Sequence, residues 1–207
     1  MEELKQWMED SAYTVVFTGA GISTDSGIPD FRSPGGLWSR LAPIDFRDFM
    51  ASDEMRVETW RRKVLLDQEI GKPLPNSAHY AISQLVNIGQ VNKIITQNID
   101  NLHQNSGLSE DQVIELHGNG TFAKCLSCDK KYQIDLVKEQ FQKDNLAPVC
   151  ACGGYIKSAT VSFGQSMPTE AMQAAEEASL ASDLFIAVGS SLKVFPAAGF
   201  PLLAKEN

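Results

Sequence analysis

No run in this chain approaches the roughly 20 consecutive apolar residues that a membrane-crossing helix needs, so a bilayer span is not expected. The opening M-E-E-L-K-Q-W-M is acidic and amphipathic, without the basic-then-apolar layout of a secretory signal. Both point to a cytoplasmic protein. Basic residues are scarce: 18 Lys and Arg stand against 26 Asp and Glu, a formal net charge of −8. Non-specific nucleic-acid binding relies on cations that displace counterions, so no direct nucleic-acid partner is expected. The same charge mildly favours basic partners, and is equally that of an acidic protein keeping itself soluble. Internal repeats and low-complexity segments are absent. The four cysteines form two close pairs with none left over. With no export layout, disulfides are improbable.

What remains is a chain of 207 residues, 43% hydrophobic, long enough to bury roughly 70% of its unfolded surface. That size suits one domain with a small appendage. Its most informative stretch is G-A-G-I-S-T at 19–24, continuing to G-I-P-D-F-R at 27–32. It follows the β-branched and aromatic run 13–17, which reads as a buried parallel strand. A strand that breaks into small residues and a helix start leaves backbone N–H groups free, an anion site suited to a pyrophosphate. Gly19 and Gly21 allow close backbone approach to a ligand. The third glycine of the usual dinucleotide fingerprint is missing, Thr24 standing in its place, which counts against an ordinary dehydrogenase. G-x-G alone also fits a tight connection with no ligand. Asp30, Phe31 and Arg32 after a proline tip the reading toward a loop that folds over a charged ligand.

Further strands are predicted at 93–96, 113–116, 160–163 and 183–188. A helix over 77–88 has Asn76 as N-cap and Gly89 as its stop, and a second over 169–181 has Thr169 as its cap. Strands separated by helices predict a doubly wound parallel α/β sheet. Residues 37–75, with an Arg-rich helical patch at 54–70, and 121–156, holding every cysteine, depart from that rhythm. The sheet domain is accordingly assigned to 1–36, 76–120 and 157–207. A helical insertion (37–75) and a cysteine-bearing module (121–156) form a smaller lobe.

The predicted strands end in Gly19-Ala20-Gly21, in the run from Gln97 to Asn101, in His117-Gly118 and in Gly189-Ser190-Ser191. In a parallel sheet these ends share one edge, where ligands bind. Of the three histidines, His79 reads as a packed helix residue with its ring hydrogen-bonded, and His103 as a brace for the 97–101 loop. His117 ends a strand at the cleft, where an imidazole titrating near neutrality takes a proton from a hydroxyl. Cys125, Cys128, Cys150 and Cys152 match a closed tetrahedral zinc site, although C-x-C is an unusual second half. A redox dithiol reading of C-x-x-C would leave the second pair unexplained.

Taken together, the chain closely resembles the sirtuin family of NAD-dependent protein deacylases, of bacterial type and short at its C-terminal end. The resemblance runs from Gly19 to Pro201. It rests on the two motifs above, on T-Q-N-I-D at 96–100, E-L-H-G at 115–118, the four cysteines, F-G at 163–164 and G-S-S-L-K-V-F-P-A-A at 189–198. It implies a Rossmann-like sheet with a smaller lobe made of a zinc-binding module and a helical insertion. It further implies that Gly19, Ala20, Gly21 and Thr24 line the pyrophosphate and ribose of NAD, with Asp30, Phe31 and Arg32 on a loop closing over it. Gln97 would hold the nicotinamide ribose, Asn98, Ile99 and Asp100 the nicotinamide, and Gly189, Ser190 and Ser191 the phosphates and adenosine side. Val161, Phe163 and Gly164 would belong to an edge strand that an acylated-lysine peptide extends. His117, as general base, and Asn98 are the implied catalytic residues. The acyl oxygen attacks the ribose carbon as nicotinamide leaves, giving free lysine and O-acyl-ADP-ribose. The four cysteines would hold structural zinc.

Gln165 stands where the family usually has Glu, and Ser158 where it usually has Pro; both bear on peptide docking more than on chemistry. Family members continue beyond the P-A-A helix into a strand and a loop that grips the adenine, whereas this chain stops at Asn207, so weak NAD binding is expected. The alternative to an enzyme is a non-catalytic NAD- or ADP-ribose-binding module.

Overall fold

Thr14–Thr18 forms strand β1, buried along its whole length. In the computed structural model, which describes residues 2–30, 36 and 40–207, it pairs in parallel on both sides. Lys93–Thr96 (β2) lies on one flank and Leu184–Val188 (β7) on the other. Val113–Glu115 (β3) pairs with the far side of β2, giving the order β3-β2-β1-β7. The alternation of β1 puts Val15 and Phe17 on one face and Val16 on the other. Val15 and Phe17 pack with Ile95, Leu116, Ala175 and Ala178, while Val16 joins Ile22, Ile82, Val86 and Ile94. Each such aliphatic or aromatic side chain contributes about 1.5–3 kcal/mol when fully buried. Both faces are therefore dry, as the continuous apolar composition of these strands requires.

Helix α1 (Glu2–Asp10) precedes the sheet. The first crossover carries α2 (Phe46–Ala51), α3 (Asp53–Ile70) and α4 (Ser77–Asn87). Asn76 caps α4 as expected: its side chain accepts from the N–H groups of Ala78 and His79, and His79 returns a ring nitrogen to the Asn76 N–H. A short helix α5 (Leu102–Asn105) follows β2. After β3 the chain enters a second, antiparallel sheet, order β5-β4-β6, built from Gly118–Cys125 (β4), Lys131–Gln133 (β5) and Ile156–Thr160 (β6). Helix α6 (Ile134–Asp144) covers it. Its core joins Trp60 and Val64 of α3 to Val137, Phe141, Ile156 and the buried Cys125 and Cys150. The Trp60 indole N–H donates to the Ile156 carbonyl at 3.0 Å, and Arg56 stacks 3.8 Å over Tyr155. Helices α7 (Thr169–Ala181) and α8 (Phe200–Glu206) close one face of the main sheet. Among the described residues no helix is long and apolar enough to cross a membrane.

Two local expectations are corrected. The strand placed at 160–163 is instead Ile156–Thr160, and residues 161–164 lie past its end in a turn. The ladder stops there because the Val161 N–H is taken by the His117 carbonyl and that of Ser162 by the Gln165 side chain. The cap of α7 is Pro168, and Thr169 is already helical. The second sheet runs from Gly118, the first residue of its central strand β4, to Thr160, the last residue of the edge strand β6.

Candidate functional site

At the carboxyl end of β1 the chain enters a 3₁₀ segment, Ala20–Ser26. The Gly19 and Gly21 N–H groups donate to the carbonyls of Val188 and Gly189, at 3.1 and 2.8 Å. A Cβ on Gly21 would meet the Gly189 oxygen at 2.8 Å, and one on Gly19 the Ser190 Cα at 2.9 Å. These glycines are thus required by the close approach of the chain's own β7 loop, and their N–H groups are bonded to its carbonyls rather than free as the motif suggested. Thr24 donates its hydroxyl to the Gly21 carbonyl within the same turn.

The end of β2 lies against this turn. The Gln97 side-chain amide donates to Ser190 Oγ at 2.7 Å and to the Thr18 carbonyl at 3.3 Å. Asn98, buried, donates through Nδ2 to the Gly19 carbonyl and to Ser23 Oγ, both at 3.2 Å. Ser23 in turn donates to Asp100 at 2.7 Å, and the other Asp100 oxygen accepts the Leu102 N–H at the start of α5. The Ile99 carbonyl accepts the Gly120 N–H from β4 at 2.7 Å. Amide, hydroxyl and carboxylate groups from three strand ends therefore converge, as the parallel topology dictates.

His117 sits where the chain leaves one sheet for the other. Its Nδ1 lies 2.8 Å from the Gln97 carbonyl oxygen. A carbonyl only accepts, so Nδ1 carries the proton and Nε2 keeps its lone pair. Nε2 has no hydrogen-bond partner among the described residues. Burial holds the imidazole pKa below its ordinary value, opposed by the Gln97 bond, so the neutral ring is favoured. Gly118 follows with φ +70, and a Cβ there would overlap the Ala159 carbonyl oxygen.

The chain from 161 to 164 runs beside this joint. The Phe163 carbonyl accepts the Phe46 N–H from α2 at 2.8 Å, and the Phe163 ring is exposed. Gly164 adopts φ +76 with the Asp45 carboxylate against its α-carbon. Asp30 is half-buried at the end of the first loop; Phe31 and Arg32 lie outside the described residues. Ser191 follows Ser190, whose hydroxyl also accepts the Leu192 N–H.

In the small lobe, Cys125, Cys128, Cys150 and Cys152 bring their sulfurs within 4.8 Å of one another. The separations of 3.5 Å (Cys125–Cys152), 3.8 Å (Cys128–Cys150) and 3.5 Å (Cys128–Cys152) match the ~3.8 Å edge of a tetrahedron with Zn–S bonds of about 2.3 Å. The four thiols fit structural zinc. Tyr132 donates its hydroxyl to Cys150 Sγ at 3.0 Å, an outer bond that steadies a thiolate ligand.

Residues 19–196 match the family model described as Sir2 family. This chain belongs to the Sir2 family. It is 55% identical to the NAD-dependent protein deacetylase of Rhodopseudomonas palustris, over 100% of this chain and 82% of that protein. It is 51% identical to NAD-dependent protein deacetylase 1 of Bradyrhizobium diazoefficiens, covering 100% and 81%. Among solved structures, a Sir2 histidine variant with a deacetylated p53 peptide and 3'-O-acetyl ADP-ribose superposes with a TM-score of 0.91 at 36% identity. That match covers 100% of this chain and 82% of the other. A Sir2–p53 peptide–NAD+ complex gives 0.86 at 37% identity with the same coverage. The Rossmann-like sheet with its cysteine module is the Sir2 architecture.

Several residues that organise this Sir2 site were not assigned to it from the sequence. Ser23 links Asn98 to Asp100, and Asn76, read there only as a helix cap, also donates to the Ile22 carbonyl and Ser26 Oγ. Glu115 accepts from Gln104 and Asn119, tying α5 to β4. Thr18 and Thr96, the polar last residues of apolar strands, were the available signal for a buried polar network.

Proposed function

We propose that the chain is an NAD-dependent protein deacetylase in which His117 is the general base and Asn98 the second catalytic residue. Family membership, relatives named for this activity, and Sir2 structures holding NAD+ or an acetylated peptide support the reading. The observation that carries it is the bond from His117 Nδ1 to the Gln97 carbonyl, which leaves Nε2 as an unprotonated acceptor. NAD, the consumed co-substrate, supplies an electrophilic ribose carbon and a nicotinamide leaving group.

The chain's own groups do the rest. His117 takes a proton from a ribose hydroxyl, and Gln97 with Ser190 positions that ribose through a shared hydrogen bond. Asn98, Ile99 and Asp100 bind the nicotinamide, and Ser23 fixes the carboxylate of Asp100. Gly19, Ala20, Gly21 and Thr24 face the pyrophosphate and ribose, and Gly189, Ser190 and Ser191 the phosphates and adenosine side. Asp30, Phe31 and Arg32 belong to the loop that closes over NAD. An acylated-lysine peptide adds along Val161, Phe163 and Gly164, where the exposed Phe163 ring offers apolar contact. A division into a sheet domain (1–36, 76–120, 157–207), a helical insertion (37–75) and a zinc module (121–156) is part of the proposal, as is a cytoplasmic site of action, which suits four thiols gathered as metal ligands.

Incubation with NAD and an acetyl-lysine peptide is expected to release nicotinamide together with the deacetylated peptide. His117→Ala is expected to slow that release by about 10²–10⁴. Equal rates in the variant would defeat the assignment, and NAD binding without nicotinamide release would make the chain a binding module.

A further inference from the structure

Two histidines beneath the site, His79 on α4 and His103 on α5, are 0% and 1% exposed. Their ring centroids are 5.1 Å apart, edge to face. His79 Nδ1 accepts the Asn76 N–H, so its proton is on Nε2, and that buried N–H has no partner among the described residues. His103 Nε2 lies 2.9 Å from Thr18 Oγ1, whose own proton goes to Thr96 Oγ1 at 2.8 Å. With that hydroxyl proton so directed, His103 donates through Nε2 and its Nδ1 is a bare, buried acceptor, again without a partner among the described residues. A fully buried donor and a fully buried acceptor thus belong to two rings whose centroids lie 5.1 Å apart, and the two nitrogens are not bonded to each other. Leaving both unmade is costly, and one water spans nitrogens about 4–5 Å apart.

The chain continues to the catalytic turn. Thr96 Oγ1 accepts the Asn98 N–H at 3.1 Å, and the next residue back, Gln97, provides the carbonyl that orients His117. We propose that His79 and His103 bind one buried water between them, completing a hydrogen-bonded line from the α4 cap through Thr18 and Thr96 to Asn98. In this arrangement His103 is a positioning residue for the reaction at His117. Burial keeps both rings neutral, moving His103 down to about 3, so the line transmits geometry rather than charge. The positioning role rests on the reading of His117 as base; the water and the ring protonation do not.

Three measurements on the full chain test it. A crystal structure resolving ordered waters is expected to show one between His79 Nε2 and His103 Nδ1, and an empty map there overturns the bridge. Long-range ¹H–¹⁵N spectra of the imidazoles are expected to show Nε2–H forms for both rings, and an Nδ1–H form in either overturns the line. His103→Gln keeps a donor at the Nε2 position, whereas His103→Phe keeps only the ring shape. Nicotinamide release is expected to lose at least about tenfold in kcat with Phe, with a smaller change in KM for NAD, and to recover most of that with Gln. Equal kcat in wild type and both variants, or equal losses in the two variants, overturns the positioning role. If the Phe variant does not fold, the spectra and the water still decide. Failure of nicotinamide release in the wild-type chain would count against the base assignment and leave those two measurements standing.

Discussion

His117 is held by one short bond to a backbone carbonyl, and that bond decides which nitrogen is left unprotonated for the proposed role as base. Burial, the larger influence on its pKa, disfavours the imidazolium, while the Gln97 bond partly opposes it. The net direction is downward from 6.5. A base works only when unprotonated, so activity is lost as pH falls through the folded-state pKa. The acid limb of log kcat/KM against pH is therefore expected to have its midpoint below 6.5, measured by nicotinamide release across pH 4.5–8. A midpoint above that value would contradict the burial argument. The histidine's identity was legible from E-L-H-G at the end of an apolar run, but its tautomer was not. That depends on a carbonyl 20 residues away in sequence.

The joint between the two sheets is an element-scale device. Gly118 begins β4 one residue after His117, pairs with Thr160, and packs its α-carbon against the Ala159 carbonyl. An alanine there adds both a clash and a left-handed strain. Gly118→Ala is expected to lower stability by about 2–4 kcal/mol, read from the denaturant midpoint. Activity in native buffer should fall through kcat, because the displaced joint carries His117 with it. A variant matching wild type in both would show that the close approach to Ala159 relaxes freely. Strands β1, β2, β3 and β7 were legible because both faces are apolar and their lengths short. β6 was misplaced because I-K-S-A-T is a poor strand by composition. It exists through pairing with β4, and the apolar run V-S-F that mimicked a strand has its N–H groups drawn to His117 and Gln165.

At the scale of the whole molecule, the insertion and the cysteine module share one core. Trp60 of α3 packs with Cys125 and Cys150 and bonds the Ile156 carbonyl. Structural zinc sites contribute about 10–16 kcal/mol of apparent binding free energy in small peptides, so metal loss should unfold the module that depends on it. Chelation of the purified protein is expected to red-shift tryptophan fluorescence as Trp60 is exposed, and to accelerate amide exchange over 121–156. Exchange over β1 and β2 should change far less, because their core is separate. Unchanged exchange in 121–156 after verified zinc loss would show that the module holds by packing alone.

Local composition and spacing were enough to establish the alternating elements, the cysteine quartet and the polar residues that end apolar strands, since each is a property of neighbours along the chain. What could not be read that way is every contact between strand ends: Gly21 against Gly189, Gln97 against Ser190, Ser23 between Asn98 and Asp100, and the two histidines under Thr18. Those pairs are up to 168 residues apart, and only the closing of the parallel sheet brings them within bonding distance.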